Sequence, residues 1–369
     1  MTYGLNNIGL IPAKISNIRH RSECNPYNED DMLPIFTAPM NSVINEHNYK
    51  RFLEQKINTV IPRGVSIKRR IELSTKTFVA MSLQEFDTFI HKDNPDLENT
   101  KKVWYICVDV AQGAMQCLID LCKEAKDIYG GRLVLMTGNI ANPETYIEYS
   151  MAGIDMCRVS VGSGAACTTT NSTGIGMGMA TLLKEISDKR WEIIEAQNTS
   201  KILSTNCKYK SIPLIIADGG FDSNDKIIKA LVLGADYVMI GKTFAQCEEA
   251  CGDIVTKYLP TEVPVTYQTG EYDGIPTFET VYRIKEMPIK HRVYYGMSTL
   301  RAQKETGRKK LTTAEGIEVC LPINNNLKSW TIKFIDNLRS AMSYTNCKTL
   351  SDLFNVKYRI INNADYSAQ

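Results

Sequence analysis

Cys167 lies in a glycine-rich segment whose composition suits covalent chemistry. The segment covers residues 162–169, reads GSGAACTT and follows a short apolar run. Exposed backbone N–H groups and a helix end in such a turn lower the pKa of a thiol, and a thiolate is a competent nucleophile. The pattern indicates a candidate nucleophile at position 167. The alternative is an inert cysteine at the end of a strand.

Two further glycine turns have the composition of an anion site. Gly219 and Gly220 follow one apolar run, and Gly241 follows the next run and precedes Lys242. Glycine lets backbone N–H groups approach a phosphate closely, and a helix N-terminus that follows adds a favourable dipole. Asp218 stands beside the first pair, where a carboxylate can accept hydrogen bonds from ribose hydroxyl groups. A phosphate site is predicted, with tight strand-to-helix turns as the alternative.

Eight short apolar runs are the elements that must position these groups. They lie at 34–38, 58–62, 78–82, 103–109, 132–137, 156–161, 213–218 and 237–241. Near-continuous apolarity is typical of parallel strands that are buried on both faces. Helical patterns separate most of the runs, at 45–56, 67–75, 113–128, 142–152, 175–190 and 223–233. This alternation predicts an α/β fold, a (β/α)₈ TIM barrel with its site at the C-terminal ends of the strands. A doubly wound open sheet is the alternative, because periodicity does not show closure.

The chain of 369 residues is expected to form one catalytic domain. The barrel takes about residues 30–255. Within residues 256–325, residues 258–290 are rich in Pro, Gly and Thr, which predicts an exposed hairpin or loop, and residues 299–325 are polar without a clean period, which predicts a mobile flap. Residues 326–369 are expected to form a helical tail with a packing helix over 327–343.

Composition excludes several classes of partner. The 43 Lys and Arg residues nearly balance 41 Asp and Glu residues, and no long basic run occurs, so nucleic acid is not an expected partner. No apolar run is long enough to cross a bilayer, so no membrane partner is expected. The 11 cysteines lack metal-site spacing, and the N-terminus lacks the pattern of a signal peptide. A cytoplasmic protein in a reducing compartment is expected.

Four segments together resemble one enzyme family. Residues 162–176 (GSGAACTTTNSTGIG) look like the catalytic loop of the IMP dehydrogenase and GMP reductase family. Residues 216–241 (IADGGFDSNDKIIKALVLGADYVMIG) resemble its phosphate and ribose segment. Residues 294–298 (YYGMS) resemble its base-contact segment, and residues 33–43 (LPIFTAPMNSV) its first strand. The resemblance covers most of residues 20–355.

The resemblance implies a role for each candidate residue. Cys167 would attack C2 of a purine, while Thr169 and Glu315 match the residues that handle the proton of the leaving amine. The substrate contacts would come from Asp218, Gly219, Gly220, Gly241, Lys242, Gly296, Met297 and Ser298. The nicotinamide pocket would be lined by Arg63, Asp109, Val110 and Ala111. Backbone carbonyl groups of Gly162, Gly164 and Cys167 match a loop that binds a monovalent cation such as K⁺.

The reductase branch of the family is favoured over the dehydrogenase branch. About 40 residues separate Arg63 from Val103, which leaves no room for the regulatory insertion of classical dehydrogenases. The flap between Met297 and Glu315 is short and lacks the Arg-Tyr pair with which dehydrogenases activate water. Residues 103–113 and 20–24 also look more like the reductase versions. The resemblance therefore implies reductive deamination of GMP with NADPH, NADH remaining possible, and a homotetramer.

Several positions depart from the family pattern. Ala165 replaces a residue whose hydroxyl group helps to hold phosphate, and Lys242 replaces a small residue. Thr312 stands where a basic flap residue is common, which leaves the choice between NADPH and NADH open. Further departures near the cofactor loop are Pro62, Gly64 and Gln112.

Three rival hypotheses remain open from the sequence. The chain could be an NAD-dependent IMP dehydrogenase with an atypical flap, which would produce XMP. It could act on a deoxy or modified purine nucleotide. It could also be a non-catalytic nucleotide-binding or scaffolding protein, although Cys167, Thr169 and Glu315 are all present. For individual residues the structural alternatives are a strand-end salt bridge at Asp109, a helix cap at Thr169 and a surface acid at Glu315.

Overall fold

Eight parallel strands close into a barrel. The computed structural model describes residues 2–92, 102–162, 164, 169–205, 207–306, 313 and 316–361. The strands are Ile35–Thr37, Val60–Ile61, Phe78–Met81, Trp104–Asp109, Leu133–Ile140, Met156–Val159, Leu214–Asp218 and Tyr237–Ile240. The first strand pairs with the eighth. The ring closes where Thr37 N–H donates to the Asn58 carbonyl at 2.9 Å and Asn58 N–H donates to the Ile35 carbonyl at 3.0 Å. The predicted TIM barrel is confirmed, and the open-sheet alternative was wrong.

Helices follow the strands on the outside of the barrel. Those that match predicted segments are Tyr49–Glu54, Ile67–Leu73, Gln116–Tyr129, Pro143–Ala152, Met179–Leu203 and Asn224–Val232. The sequence prediction missed the helix Leu83–His91, although Ser82 caps it and Glu85 completes a capping box. It also missed three shorter helices, Thr169–Thr173, Lys242–Ala245 and Leu300–Glu305.

The core has two layers because each barrel strand is buried on both faces. Inside the barrel lies a cluster formed by Phe36, Ala38, Val60, Phe78, Ala80, Cys107, Met136, Met156, Ile216 and Met239. A larger cluster fills the space between the strands and the helices. Within one strand the alternation is direct, since Ala80 faces the interior cluster while Val79 and Met81 face the outer one.

A long hairpin leaves the barrel after the eighth strand. Its strands, Ile254–Tyr272 and Ile275–Tyr295, run antiparallel and are joined by a turn at Asp273 and Gly274. Both turn residues have positive φ, 55° and 77°, as a two-residue hairpin turn requires. The returning strand then pairs with Glu318–Pro322. The expected hairpin is therefore present and is longer than the segment read from the sequence.

Elements near both chain termini pack against the outside of the barrel, where the helix Asn224–Val232 contacts the strand Ile8–Leu10 and the C-terminal packing helix. The packing helix spans Leu327–Tyr344, as expected, and its Trp330 ring meets the Phe244 ring edge-on at 4.9 Å. Strand Ile8–Leu10 pairs with strand Tyr358–Ile360. Among the helices within the described ranges, none has the length and apolarity that crossing a bilayer would require.

Candidate active site

A single cleft at the C-terminal ends of the barrel strands gathers the described candidate residues. Its volume is about 1630 Å³. The candidates that line it are Arg63, Asp109, Val110, Ala111, Gly162, Gly164, Thr169, Asp218, Gly219, Gly220, Gly241, Lys242, Gly296, Met297 and Ser298. Strand ends far apart in sequence meet there because parallel strands of a barrel all end at one mouth.

Arg158, on the sixth strand, joins two carboxylates at the centre of the cleft. Its guanidinium donates to Asp109 at 2.7 Å and to Asp218 at 2.8 Å and 3.2 Å. Asn139 donates to the same Asp218 oxygen at 2.8 Å, and Arg63 forms an ion pair with Asp109 at 3.2 Å. This network links the predicted ribose carboxylate to the predicted cofactor pocket. Asp109 therefore forms the salt bridge that was its structural alternative, and it also lines the cleft.

The charge of Asp109 is maintained by its two cationic neighbours. Burial alone would raise the pKa of this carboxyl group, but the charges and hydrogen bonds of Arg158 and Arg63 outweigh burial and lower the pKa below its ordinary value. Asp109 is therefore ionised at neutral pH. The same carboxylates raise the pKa of Arg158 against the effect of its own burial.

The glycine turns after the seventh and eighth strands have the geometry that the anion hypothesis needs. Gly219 and Gly220 have φ of 96° and 85°, which side chains disfavour. At Gly241 an added Cβ would lie 2.8 Å from the Tyr294 hydroxyl oxygen and 3.1 Å from the Met40 sulfur. The turn is therefore packed tightly against the returning strand of the hairpin and leaves no room for a side chain at position 241.

Two lysines line the cleft near these turns, and they differ in pairing. Lys226 forms an ion pair with Asp222 at 2.7 Å. Lys242 is half-buried and forms no ion pair with any residue that the structure describes. A half-buried ammonium group that lacks an internal carboxylate is available to pair with an anionic ligand.

The other half of the cleft is formed by the loops after the second, third and fourth strands. Residues 82–85 and Thr88 line it together with Arg63 and Asp109. The buried Arg70 holds this wall in place, because its guanidinium donates to Glu85 at 2.5 Å and 3.1 Å. Burial works to raise the pKa of Glu85, but the hydrogen bonds from Arg70 and Ser82 prevail and lower it.

Parts of the catalytic loop and flap fall outside the described residues, among them Cys167, Glu315, Ala165 and Thr312. On either side of Cys167, Gly164 and Thr169 line the cleft. Thr169 is also the first residue of the helix Thr169–Thr173, so it lies inside that helix and not at the cap position that was the structural alternative. Gly162 has φ of 71°.

Sequence reasoning missed Arg158. The signal was available, because Arg158 is a charged residue inside the run MCRVSV, which was predicted to be buried on both faces. A buried cation requires carboxylate partners, and Asp109 and Asp218 were already candidates. Glu85 was also missed, since only the folded chain brings it to the cleft, where the buried Arg70 pairs with it. Tyr294 lies in the segment 294–298 that the resemblance had identified, but its packing against Gly241 was not predicted.

Comparison with known proteins identifies relatives over nearly the whole chain. The family model described as "IMP dehydrogenase / GMP reductase domain" matches residues 75–368. A GMP reductase from Oceanobacillus iheyensis is 28% identical over 98% of this chain and 96% of the relative. A GMP reductase from Clostridium acetobutylicum is 26% identical with the same coverage of both chains. An inosine-5'-monophosphate dehydrogenase from Chlorobaculum tepidum is 29% identical, over 67% of this chain and 43% of the relative.

Proposed function

Because the chain belongs to the IMP dehydrogenase / GMP reductase family of oxidoreductases, we propose that it is a GMP reductase that converts GMP to IMP and ammonia with NADPH as the hydride donor. The observation that carries this choice is the extent of similarity. Two GMP reductases are matched over 96% of their length, whereas the dehydrogenase is matched over 43% of its length. The short flap, without an Arg-Tyr pair, supports the same choice.

In this proposal the nucleotide lies across the half of the cleft formed by the sixth, seventh and eighth strands. Its phosphate group binds the N–H groups of Gly219, Gly220 and Gly241, with Lys242 as a counter-charge. The ribose hydroxyl groups donate to Asp218, whose carboxylate Arg158 holds in position. Residues 296–298, which follow Tyr294, contact the base. The positive φ of the first two glycines and the unpaired Lys242 support this placement.

The chemistry proceeds through a bond between Cys167 and the substrate. The thiolate attacks C2 of the purine, the bond from C2 to the exocyclic nitrogen breaks, and ammonia leaves with a proton handled by Thr169 and Glu315. A covalent thioimidate results. A bound NADPH would supply the chemistry of hydride transfer to C2, and the bond between C2 and the Cys167 sulfur would then break and return the thiolate. The overall change consumes GMP, NADPH and two protons, and it yields IMP, ammonium and NADP⁺.

The other half of the cleft fits a nicotinamide cofactor. Arg63, Asp109, Val110 and Ala111 form its floor, and the buried ion pairs around Asp109 fix that floor rigidly. Ordered walls that hold a cofactor near the substrate carbon raise the rate by reducing the loss of freedom during reaction. NADH remains a possible donor.

The proposal retains four further predictions from the sequence analysis. Carbonyl oxygens of Gly162, Gly164 and Cys167 would hold a monovalent cation such as K⁺, and carbonyl groups suit such an ion. Gly162, with its positive φ, and Gly164 both border the cleft beside Thr169. The protein would be cytoplasmic and form a homotetramer, and its partner would be a purine nucleoside monophosphate.

A substrate screen tests the proposed reaction. Purified protein is mixed with GMP, dGMP or IMP and with each nicotinamide in its oxidised or reduced form, and absorbance of the reduced nicotinamide is followed. We expect consumption of NADPH with GMP and release of one ammonia per NADPH. Reduction of NAD⁺ with IMP, while GMP stays inert, would identify a dehydrogenase instead. Tight binding of GMP without turnover by any nicotinamide would favour a non-catalytic protein.

A Lys242→Ala variant tests the phosphate site. Loss of one charge-assisted hydrogen bond to phosphate, roughly 1.5 kcal/mol, should raise the KM for GMP about tenfold and change kcat less than about twofold. Lys242→Arg, which keeps the charge, should retain most of the affinity. Guanosine lacks the phosphate group, so its slow turnover should be the same in the parent and in Lys242→Ala. An equal loss with guanosine would show that Lys242 does not act on the phosphate.

A further inference from the structure

The hairpin extends far beyond the site that it borders. Its outgoing strand has 19 residues and its returning strand 21, which at about 3.3 Å per residue gives an arm of roughly 60 Å. Among the residues that the structure describes, a third strand pairs with the arm only at its base, at residues 291–295. Eleven large apolar residues on the arm are exposed, with exposed fractions from 36% at Val255 to 79% at Tyr272. A two-stranded ribbon of this length is not stable through its own contacts.

The strand register assigns the residues of the arm to two faces. Directly paired residues share a face, and the face alternates along each strand. One face, here the valine face, carries the pair Val265 and Val281 and the pair Leu259 and Met287. The bulge between Gln268 and Gly270 brings the pair at Tyr272 and Ile275 to the same face. Its full apolar set is Val255, Leu259, Val263, Val265, Tyr267, Tyr272, Ile275, Val281, Met287 and Ile289.

The opposite face and the edges of the arm are less suited to pairing. Opposite the valine face, Tyr258 pairs with Pro288 and Tyr282 pairs with Pro264, so prolines stand beside both aromatic rings. Both strands of the arm also contain prolines, which lack the backbone N–H group that an added strand would need. They are Pro260, Pro264, Pro276 and Pro288. Proline at an edge hinders the addition of another strand. The opposite face also carries exposed apolar side chains, but apart from Lys290 at the base its exposed charges, Glu262, Glu271 and Glu286, are all acidic and would repel the same face of a second copy. The valine face is therefore the face that suits a second copy of the chain.

Charges on the valine face are segregated along its length. Lys257, Arg283 and Lys285 lie in the half nearest the barrel, where this face has no acidic residue. Glu279 lies in the outer half and Asp273 lies in the turn, and the outer half has no Lys or Arg. Two such faces packed antiparallel place each acidic end on the other's basic half. Two packed in parallel would place like charges together.

We propose that the valine faces of two copies of this chain pack against each other in antiparallel orientation about a twofold axis. The twofold axis would pass between two neighbouring cross-strand pairs, Val263 with Arg283 and Val265 with Val281. It places Lys285 of one copy opposite Glu279 of the other, and Lys257 beside Asp273. An interface of this type is self-complementary, since each contact occurs twice.

The available area is sufficient for a reversible contact. The valine face is roughly 50 Å long and about 12 Å wide, so each copy would bury on the order of 600 Å². Specific interfaces at the lower end of the range bury about 1,200 Å² in total. The charge pattern then fixes the orientation of the two arms and favours this partner over others.

Charge reversal in the full-length protein tests the proposal. An outer variant carries Asp273→Lys and Glu279→Lys, and an inner variant carries Lys257→Glu, Arg283→Glu and Lys285→Glu. By sedimentation velocity, each alone should form particles with half as many subunits as the parent, with the dissociation constant raised about tenfold or more. An equal mixture of the two should regain the parent's size, because both contacts then join opposite charges.

Matched controls separate pairing of the arms from loss of the fold. Glu262→Lys and Glu271→Lys make the same charge change on the opposite face and should leave the subunit number unchanged. Circular dichroism and nucleotide turnover should be the same in all variants, because the changed residues lie outside the cleft. Equal subunit numbers for the parent and both charge variants would overturn the proposal. A mixture that stays as small as its components would also overturn it.

Discussion

A Cys167→Ser variant is expected to lose turnover of GMP by roughly 10⁴-fold or more while still binding the nucleotide. Removal of a nucleophile eliminates the covalent route, and only binding and orientation remain. The contacts proposed for the phosphate and ribose groups come from the turns after the seventh and eighth strands, which the change does not touch. The dissociation constant for GMP, measured by calorimetry, should therefore stay within about threefold of the parent value.

The matched control for this prediction is Cys117→Ser, because Cys117 is an exposed cysteine on the helix Gln116–Tyr129. It should keep full activity. Alkylation gives an independent check, since iodoacetamide should modify position 167 in the parent and GMP should protect it. Activity of Cys167→Ser near the parent level would rule out the proposed covalent mechanism.

An Arg158→Leu variant is expected to lower the free energy of unfolding by about 3 kcal/mol or more and to impair turnover. Breaking a buried ion pair by removing one partner leaves the other charge uncompensated, which typically costs 3–5 kcal/mol. Here one guanidinium serves both carboxylates, while Arg63 still pairs with Asp109 and Asn139 still donates to Asp218 in the variant. Urea denaturation measures the effect, and Arg158→Lys should lose less because it keeps a charge.

The effect of Arg158→Leu should depend on pH. In the parent, the lowered pKa of Asp109 stabilises the fold above the ordinary carboxyl pKa of about 4, and that contribution disappears as pH falls through the lower value. In the variant, Asp109 loses the stronger of its two cationic neighbours, so its pKa should lie higher than in the parent. The difference in stability between parent and variant should therefore shrink below about pH 4. A difference that is independent of pH would show that packing, not charge, is the role of Arg158.

The barrel could be predicted from the sequence because its signals are local. Each strand is a short apolar run, such as the one that became Phe78–Met81, and six helices have clear patterns. The helix Leu83–His91 was missed because its first turn follows its strand at once, without a separating loop. The Asp-Gly turn at 273 and 274 was a readable hairpin signal. The length of the arm was not readable, since the flanking prolines and threonines resemble a loop.

The candidate site was only partly predictable because its parts meet through closure of the barrel. Asp109 and Asp218 are each recognisable at the end of a strand, the fourth and the seventh, but their shared partner lies on the sixth strand. Arg158 is 49 residues from Asp109 and 60 residues from Asp218 in the sequence, and only the folded barrel places it between both carboxylates. Tyr294 shows the same limit, since it reaches Gly241 through a hairpin of some 40 residues.

The register of the hairpin makes its length independent of the site. Residues inserted or deleted at the turn, in equal numbers on both strands, leave the pairing of Ile254 with Arg292 unchanged. The buried Arg292 donates to the carbonyl groups of Ala245 and Cys247. These hydrogen bonds hold the base of the hairpin beside the short helix that follows Gly241. Changes of two residues per strand also preserve which face each side chain occupies. The length and sequence of the arm can therefore change without a change in the residues that line the cleft.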